Sequence, residues 1–392
     1  MKKGVDKRAM AVLSAGHLFT DVNQGAVAAL IPFLVAERGL SLAAAGTLVL
    51  AATLSSSIVQ PLFGFFSDRT PLPALMPLGV MLGGVGIALV GVAPNYPLIL
   101  ICTVLSGLGV AAFHPESARF ANYVSGARRA RGMSFFSVGG NAGFALGPVI
   151  STPLVLLLGL PGTLFLVVPA LLMGLVLLYE LPHLLSFRPE ATEVAGEEAA
   201  EEPERWRPFV RMVGAVAVRS FVYFGLVTFV AEYYIRVFET STALANTALS
   251  VMLFAGGAGT LFLGPLADRV GRRAVLAGTM LLLPPLIYAF AFSGPLSGMV
   301  LLAFVGAATI GTFGVTVVMG QEYLPGRIGT AAGVTLGFSI GLGGVGAPLF
   351  GAIADTHGLP TMMLTLGALP MVGLALALSL PRQPGFSSRS GA

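Results

Sequence analysis

The sequence predicts an all-α integral membrane protein, with twelve transmembrane helices in two pseudo-symmetric six-helix bundles. Three observations lead there. Of the 392 residues, 55% are hydrophobic and only 10% charged, against roughly 25% charged in a soluble chain. The apolar residues gather into runs of about 20, the length that crosses a hydrocarbon core as a helix. The second half of the chain also repeats features of the first at a constant offset. A chain so poor in charge cannot cover a water-facing surface, which excludes a soluble enzyme and a nucleic-acid binder.

Taken in order, the apolar runs of the first half lie near 10–36, 43–66, 74–93, 97–121, 132–158 and 162–181. Those of the second half lie near 209–236, 243–266, 274–293, 297–322, 328–353 and 360–380. The first run is too long for a signal-peptide core and no small-residue cleavage site follows it, so it reads as a retained span. The 51 Gly and 26 Pro fall largely inside these runs, where transmembrane helices tolerate them better than soluble ones do. Cys102 is the single cysteine, which excludes an internal disulfide and a cysteine metal cluster.

Orientation follows from where positive charge collects. With the N-terminus in the cytoplasm, eighteen of the 22 Lys and Arg residues fall on inside segments, among them Lys7, Arg8, Arg128, Arg129, Arg272 and Arg273. Outside loops keep Arg38 and Arg236, and Arg119 and Arg219 fall within spans. Both termini are therefore expected in the cytoplasm of a cell with an inner (plasma) membrane. The stretch 182–208 contains a dense run of Glu, including Glu190, Glu197, Glu201 and Glu204. Such a run repels itself and buries no core, so it reads as a cytoplasmic linker. It divides the chain into bundles at 1–181 and 209–392.

The halves match at a spacing of two hundred residues. Gly64-Phe65-Phe66-Ser67-Asp68-Arg69 pairs with Gly264-Pro265-Leu266-Ala267-Asp268-Arg269, and Gly147-Pro148 pairs with Ala347-Pro348. Tandem six-helix halves related by an axis along the membrane normal are a transporter architecture. The run from Gly264 through Asp268, Arg269, Gly271, Arg272 and Arg273 resembles the G-x-x-x-D-R-x-G-R-R loop signature of the major facilitator superfamily. The copy at Asp68 and Arg69 lacks the trailing Gly and basic pair. Gly143-Phe144-Ala145-Leu146-Gly147-Pro148 is similar to the core of that superfamily's antiporter motif. His17-Leu18-Phe19-Thr20-Asp21, Phe113-His114-Pro115-Glu116-Ser117 and Gly320-Gln321-Glu322-Tyr323-Leu324-Pro325 together resemble its fosmidomycin-resistance branch. The resemblance implies proton-driven efflux of a small drug-like molecule, with Asp68, Arg69 and the second loop signature bracing helix ends, and Gly143, Gly147 and Pro148 serving conformational change.

Charges within spans cost several kcal/mol unless paired or hydrated, so each is a functional candidate. At about 1.5 Å per residue, Asp21 lies roughly 16 Å and Arg219 roughly 15 Å from the inner ends of their spans. In the superfamily, spans one, four, seven and ten line a central cavity. Asp21 is the first choice for the coupling proton, with His17 on the same helix face. His114 and Glu116 read as a second proton or substrate station, or as a hinge at Pro115 with a local Glu116–Arg119 pair. Arg219 suits an anionic substrate because its planar fork matches phosphonate or carboxylate. The structural alternative pairs Asp21 with Arg219. Gln24, Asn141 and Tyr223 offer hydrogen bonds to substrate.

Glu180 and Glu232 are expected near helix ends in reach of water, and Glu322 to brace the next loop with Arg327. The Gly-rich runs at 139–143 and 341–344 read as packing surfaces between the halves. No phosphate-binding loop or H-E-x-x-H pattern is present, and the four histidines stand too far apart in sequence for a local metal box. The expected cofactors are therefore none, the energy source being the proton gradient. The expected partners are a small-molecule substrate, protons and lipid, with no nucleic acid, acting as a monomer. Two rivals remain at this point: a uniporter or symporter of an organic anion, and a receptor or scaffold on a transporter-like fold.

Overall fold

The structure, a computed structural model, describes residues 4–60, 62–63, 72–126, 128–187, 203–327, 330–331 and 333–381. It is all-helical. The first half contains α1 (Lys7–Arg38), α2 (Leu42–Ser57), α3 (Leu75–Val90), α4 (Tyr96–Val124) and α5 (Arg129–Leu158). A 3₁₀ segment at Leu160–Leu166 then leads into α6 (Val167–Leu185). The second half contains α7 (Trp206–Arg236), α8 (Thr242–Val270), α9 (Arg272–Ala291) and α10, which runs as Pro295–Ile310 and Phe313–Tyr323. A π-helical turn at Gly333–Phe338 precedes α11 (Ser339–Ala368), and α12 is Pro370–Leu378.

Nine described helices are long and apolar enough to cross a membrane, and α2 and α3 are shorter apolar helices. The expected eleventh and twelfth spans run together in α11, which bends at Gly358, where φ is 84°. That left-handed value is cheap only for glycine. α2 is interrupted after Ser57 and helix resumes at Gln60, Leu62 and Phe63; the expected end at residue 66 lies outside the described residues. Near its end the Ser55 hydroxyl donates back to the Ala51 and Ala52 carbonyls and Ser56 to that of Thr53, a competition that weakens helices. Asp68, Arg69 and Gly64 lie outside the described residues, as does the acidic run from Glu190 to Glu202. The described helices enter the stretch read as linker from both sides, to Leu185 and from Trp206.

The chain divides into two compact units, Met1–Leu40 with Leu48–Glu198, and Ser41–Thr47 with Ala199–Ala392. In the first, α5 lies against α1 through small residues. A Cβ on Gly139, Gly143 or Gly147 would strike the backbone of Ser14, Leu18 or Gly25. In the second, α11 lies against α7 in the same way, with Gly343 on Ser220 and Gly346 on Phe221. Gly143 and Gly343 are two hundred residues apart, so the repeat seen in sequence is a repeat of packing. Gly139 and Gly143 in the first run and Gly343 in the second pack helices within their own units.

The hydrophobic core of the first unit gathers Leu13, Met76, Val80, Phe113, Phe120 and Leu177 from α1, α3, α4 and α6. Glu180 does not reach for water; it is buried and holds Arg8 of α1 through two bonds of 2.5 and 3.0 Å. Glu232 is likewise buried and pairs with Arg236 at 2.6 Å, one turn on.

Candidate functional site

Two clusters of polar side chains form inside the units, one on α1 and α4, the other on α7 and α10. In the first, Asp21 is 9% exposed. His17, one turn earlier on α1, places Nε2 3.3 Å from Asp21 Oδ2. His114 of α4 places its Nε2 3.4 Å from Asp21 Oδ1. The imidazole rings meet edge to face with centroids 4.9 Å apart, and His17 stacks on Phe136 at 4.2 Å.

The other nitrogen of each imidazole is committed. His17 Nδ1 lies 2.9 Å from the Phe136 carbonyl, and His114 Nδ1 lies 2.9 Å from the Val110 carbonyl. A carbonyl oxygen only accepts, so each Nδ1 carries the hydrogen and donates it. In the neutral imidazoles both Nε2 atoms are then acceptors, and they stand 3.3 and 3.4 Å from the Asp21 carboxylate, which also only accepts when ionised. Three acceptors converge, and among the described residues Asp21 Oδ1 has no hydrogen-bond donor. Such an arrangement is satisfied by a cation: protons on the imidazoles or carboxyl, or a metal ion. The ligand atoms of His17, Asp21 and His114 lie within 4.8 Å of one another. The histidines are dispersed along the chain, and the fold brings two of them together at Asp21.

Glu116 does not join this cluster. It is fully buried, and its Oε1 accepts from the Leu72 backbone N–H at 2.8 Å and lies 3.6 Å from Arg119 Nη1. It ties α4 to Leu72, three residues before α3. α4 itself runs unbroken through Pro115. Gln24, one helical turn beyond Asp21, donates to Ser56 Oγ at 3.0 Å, and Asn141 is half-buried on α5. A Cβ on Gly140 would strike the His17 ring and come within 2.8 Å of Asp21 Oδ2, so this glycine makes room for the cluster.

The second cluster centres on Arg219, which is 0% exposed. Its Nη1 donates to Thr312 Oγ1 at 2.8 Å and reaches Thr316 Oγ1 at 3.4 Å. The guanidinium lies 4.0 Å over the Phe313 ring, a cation–π contact. The break in α10 at Gly311 and Thr312 presents Thr312 and Phe313 here, and Tyr223, one turn along α7, meets the Phe313 ring edge-on at 6.1 Å. Nε and Nη2, the other edge of the fork, have no partner among the described residues. Asp21 and Arg219 each take their recorded partners from their own unit. Thr312, Phe313 and Thr316 escaped the sequence reading because a Thr or Phe in an apolar run carries no signal until its neighbour is known.

Of the loop signature, Gly271 turns the chain between α8 and α9 at φ 95°, and a Cβ on Gly264 would meet open space. The bracing comes from the basic pair. Arg272 bonds Glu322 at the end of α10 and lies 3.5 Å from Asp268, and Arg273 donates to the Ala377 and Leu378 carbonyls ending α12. Arg269 is exposed. Glu322 therefore partners Arg272 and not Arg327, which bonds Glu204 at 2.8 Å. Trp206 Nε1 donates to the same carboxylate at 2.9 Å. These two bonds, Trp206 first, hold the Glu204 carboxyl below its ordinary pKa.

Apolar helices in two repeated units, each enclosing ionisable side chains, are the architecture of a membrane transport protein. The chain belongs to the Major Facilitator Superfamily, whose model matches residues 13–335. It is 32% identical over 377 residues to the uncharacterized MFS-type transporter YfnC of Bacillus subtilis, covering 94% of this chain and 92% of that one. It is 30% identical over 376 residues to the fosmidomycin resistance protein of Escherichia coli, covering 95% and 92%. Among solved structures, a bacterial homolog of the human lysosomal transporter Spinster, inward-facing and occupied, superposes with a TM-score of 0.75 at 16% identity, covering 94% and 95%. The inward-open xylose transporter XylE of E. coli does so at 0.75 and 14%, covering 96% of each chain. These likenesses establish the fold.

Proposed function

We propose that this transporter exports a small anionic, drug-like molecule, fosmidomycin or a compound of similar chemistry, in exchange for protons by alternating access. The observation that carries the reading is the Arg219 fork. A guanidinium buried at 0% exposure with two nitrogens unpartnered among the described residues carries a desolvation cost of several kcal/mol. Two oxygens of a phosphonate or carboxylate on Nε and Nη2 offset that cost, in the bidentate geometry Arg favours. Phe313 and Tyr223 supply an apolar wall beside the anion. The exchanged proton belongs to the cluster of His17, Asp21 and His114. The similarity to a fosmidomycin resistance protein over nearly the whole chain supports both the direction and the substrate class.

In this reading both termini face the cytoplasm, the host membrane is the inner membrane, and the protein acts as a monomer. Asp268, Arg272 and Arg273 hold helix ends together, and Gly143, Gly147 and Pro148 let α5 move along α1. The test uses everted membrane vesicles energised to an acidic lumen and loaded with a pH-sensitive dye. Fosmidomycin added outside is expected to enter as protons leave, so the lumen pH rises. A response to cationic drugs alone overturns the anion role of Arg219, and substrate uptake without any pH change overturns proton exchange.

A further inference from the structure

We infer that His17, Asp21 and His114 form a binding site for a divalent transition-metal ion of the zinc, cobalt or nickel class. The inference rests on the cluster being the cation-holding site of the first unit, and it adds a second class of cation to the proton. Four observations carry it. The donor set is two imidazoles and a carboxylate, which suits these metals. The Nε2 atoms of His17 and His114 lie 3.3 and 3.4 Å from Asp21 Oδ2 and Oδ1 respectively, close to the ~3.3 Å that separates neighbouring ligands of a metal bound at about 2.0–2.1 Å.

Each imidazole donates its Nδ1 hydrogen to a carbonyl, of Phe136 or Val110. That outer hydrogen bond is the arrangement by which proteins aim the Nε2 lone pair at a metal. Finally, Asp21 Oδ1 is buried, turned into the cluster and without a hydrogen-bond donor among the described residues. Three protein ligands leave a fourth position for water or for an oxygen of an anionic ligand, as in open zinc sites. A metal ion and the coupling proton would claim the same lone pairs, so the metal is expected to arrest proton exchange.

The full chain, purified in detergent on a tag without histidine, is titrated with Co²⁺ and followed by visible absorption. One equivalent is expected to give the strong d–d bands of a four- or five-coordinate nitrogen–oxygen site. His17→Gln and His114→Gln should each weaken binding by at least ~10-fold, while His357→Gln, at an exposed histidine, leaves the spectrum unchanged. Zn²⁺ should displace the cobalt and raise the Tm of the wild type but not of the two cluster variants. Variants that elute as monodisperse protein, with wild-type Tm in the absence of metal, exclude misfolding as the cause. No d–d bands, or bands that survive both cluster substitutions, overturn the site. Proton exchange that persists while cobalt fails to bind removes the metal inference alone; loss of proton exchange in metal-free protein points instead to the functional reading.

Discussion

The two buried clusters are opposite in electrical demand. Around Asp21, acceptors converge and Oδ1 has no donor; at Arg219, one guanidinium has two nitrogens without acceptors, in both cases among the described residues. Both are built from corresponding helices of their halves, α1 with α4 and α7 with α10. The packing beneath them is also shared, since α5 on α1 and α11 on α7 close through glycines at matching positions. One scaffold, repeated, thus carries an acceptor-rich cluster in its first copy and a donor cluster in its second, which is the contrast the proposed proton and anion sites rest on. The difference lies in a handful of side chains and leaves the helix packing alone.

The strongest way to break the comparison is at Arg219. Arg219→Ala removes the guanidinium of its cluster and should lower transport of fosmidomycin by about 100-fold or more, the loss of two charge-assisted hydrogen bonds. Arg219→Lys keeps the charge but not the fork, and should recover no more than about a tenth of the lost activity. Radiolabelled uptake into everted vesicles reads both.

Asp21→Asn tests the opposite site. It should leave substrate counterflow, which needs no net proton movement, while abolishing the substrate-driven pH change. If the pH change survives in proteoliposomes, the carboxylate is not part of the coupling site.

A third substitution sharpens the role of packing. Gly140→Ala pushes a methyl group into the His17 ring, so it should cost about 1–3 kcal/mol of stability as an overpacking change and slow proton exchange more than substrate binding. Gly264→Ala, which meets open space, should change the Tm little. Scanning both variants by thermal unfolding separates a cluster defect from a general loss of helix propensity.

The smallest effect is expected outside the spans. Glu204 is held ionised by Trp206 and Arg327, so its folded pKa lies below its unfolded one. Its contribution is then full above the ordinary carboxylate range and is lost as the pH falls through the folded value. Because the group is exposed, Glu204→Gln should lower Tm only slightly at neutral pH, and the gap to wild type should close in acid.

Much of the fold was legible without coordinates. Composition excludes water as the solvent of this chain, run length sets the helices, and an internal repeat announces two like units, because a bilayer tolerates almost no other backbone solution. The candidate site was legible only in part. Asp21, His17, His114 and Arg219 stand out because charge in an apolar run is expensive. Their partners do not: Thr312, Thr316, Phe313 and the Phe136 carbonyl are ordinary residues of ordinary helices. The acidic residues were misjudged for the same reason. Depth suggests water for Glu180 and Glu232, and nearness in sequence suggests Arg327 for Glu322, whereas their arginines are Arg8, Arg236 and Arg272, of which only Arg236 stands within one turn.

What the sequence determined by itself is therefore whatever depends on solvent and period: a membrane protein of duplicated six-helix halves, with a few costly charges inside. Tertiary structure decided how those charges are compensated. Whether a buried carboxylate meets an arginine or two imidazoles depends on which faces of two helices touch, and that contact is made by glycines and carbonyls distant in the chain. Asp21 therefore faces lone pairs and Arg219 keeps a free edge, and these two outcomes of packing are what the proposed exchange of anion for proton rests on.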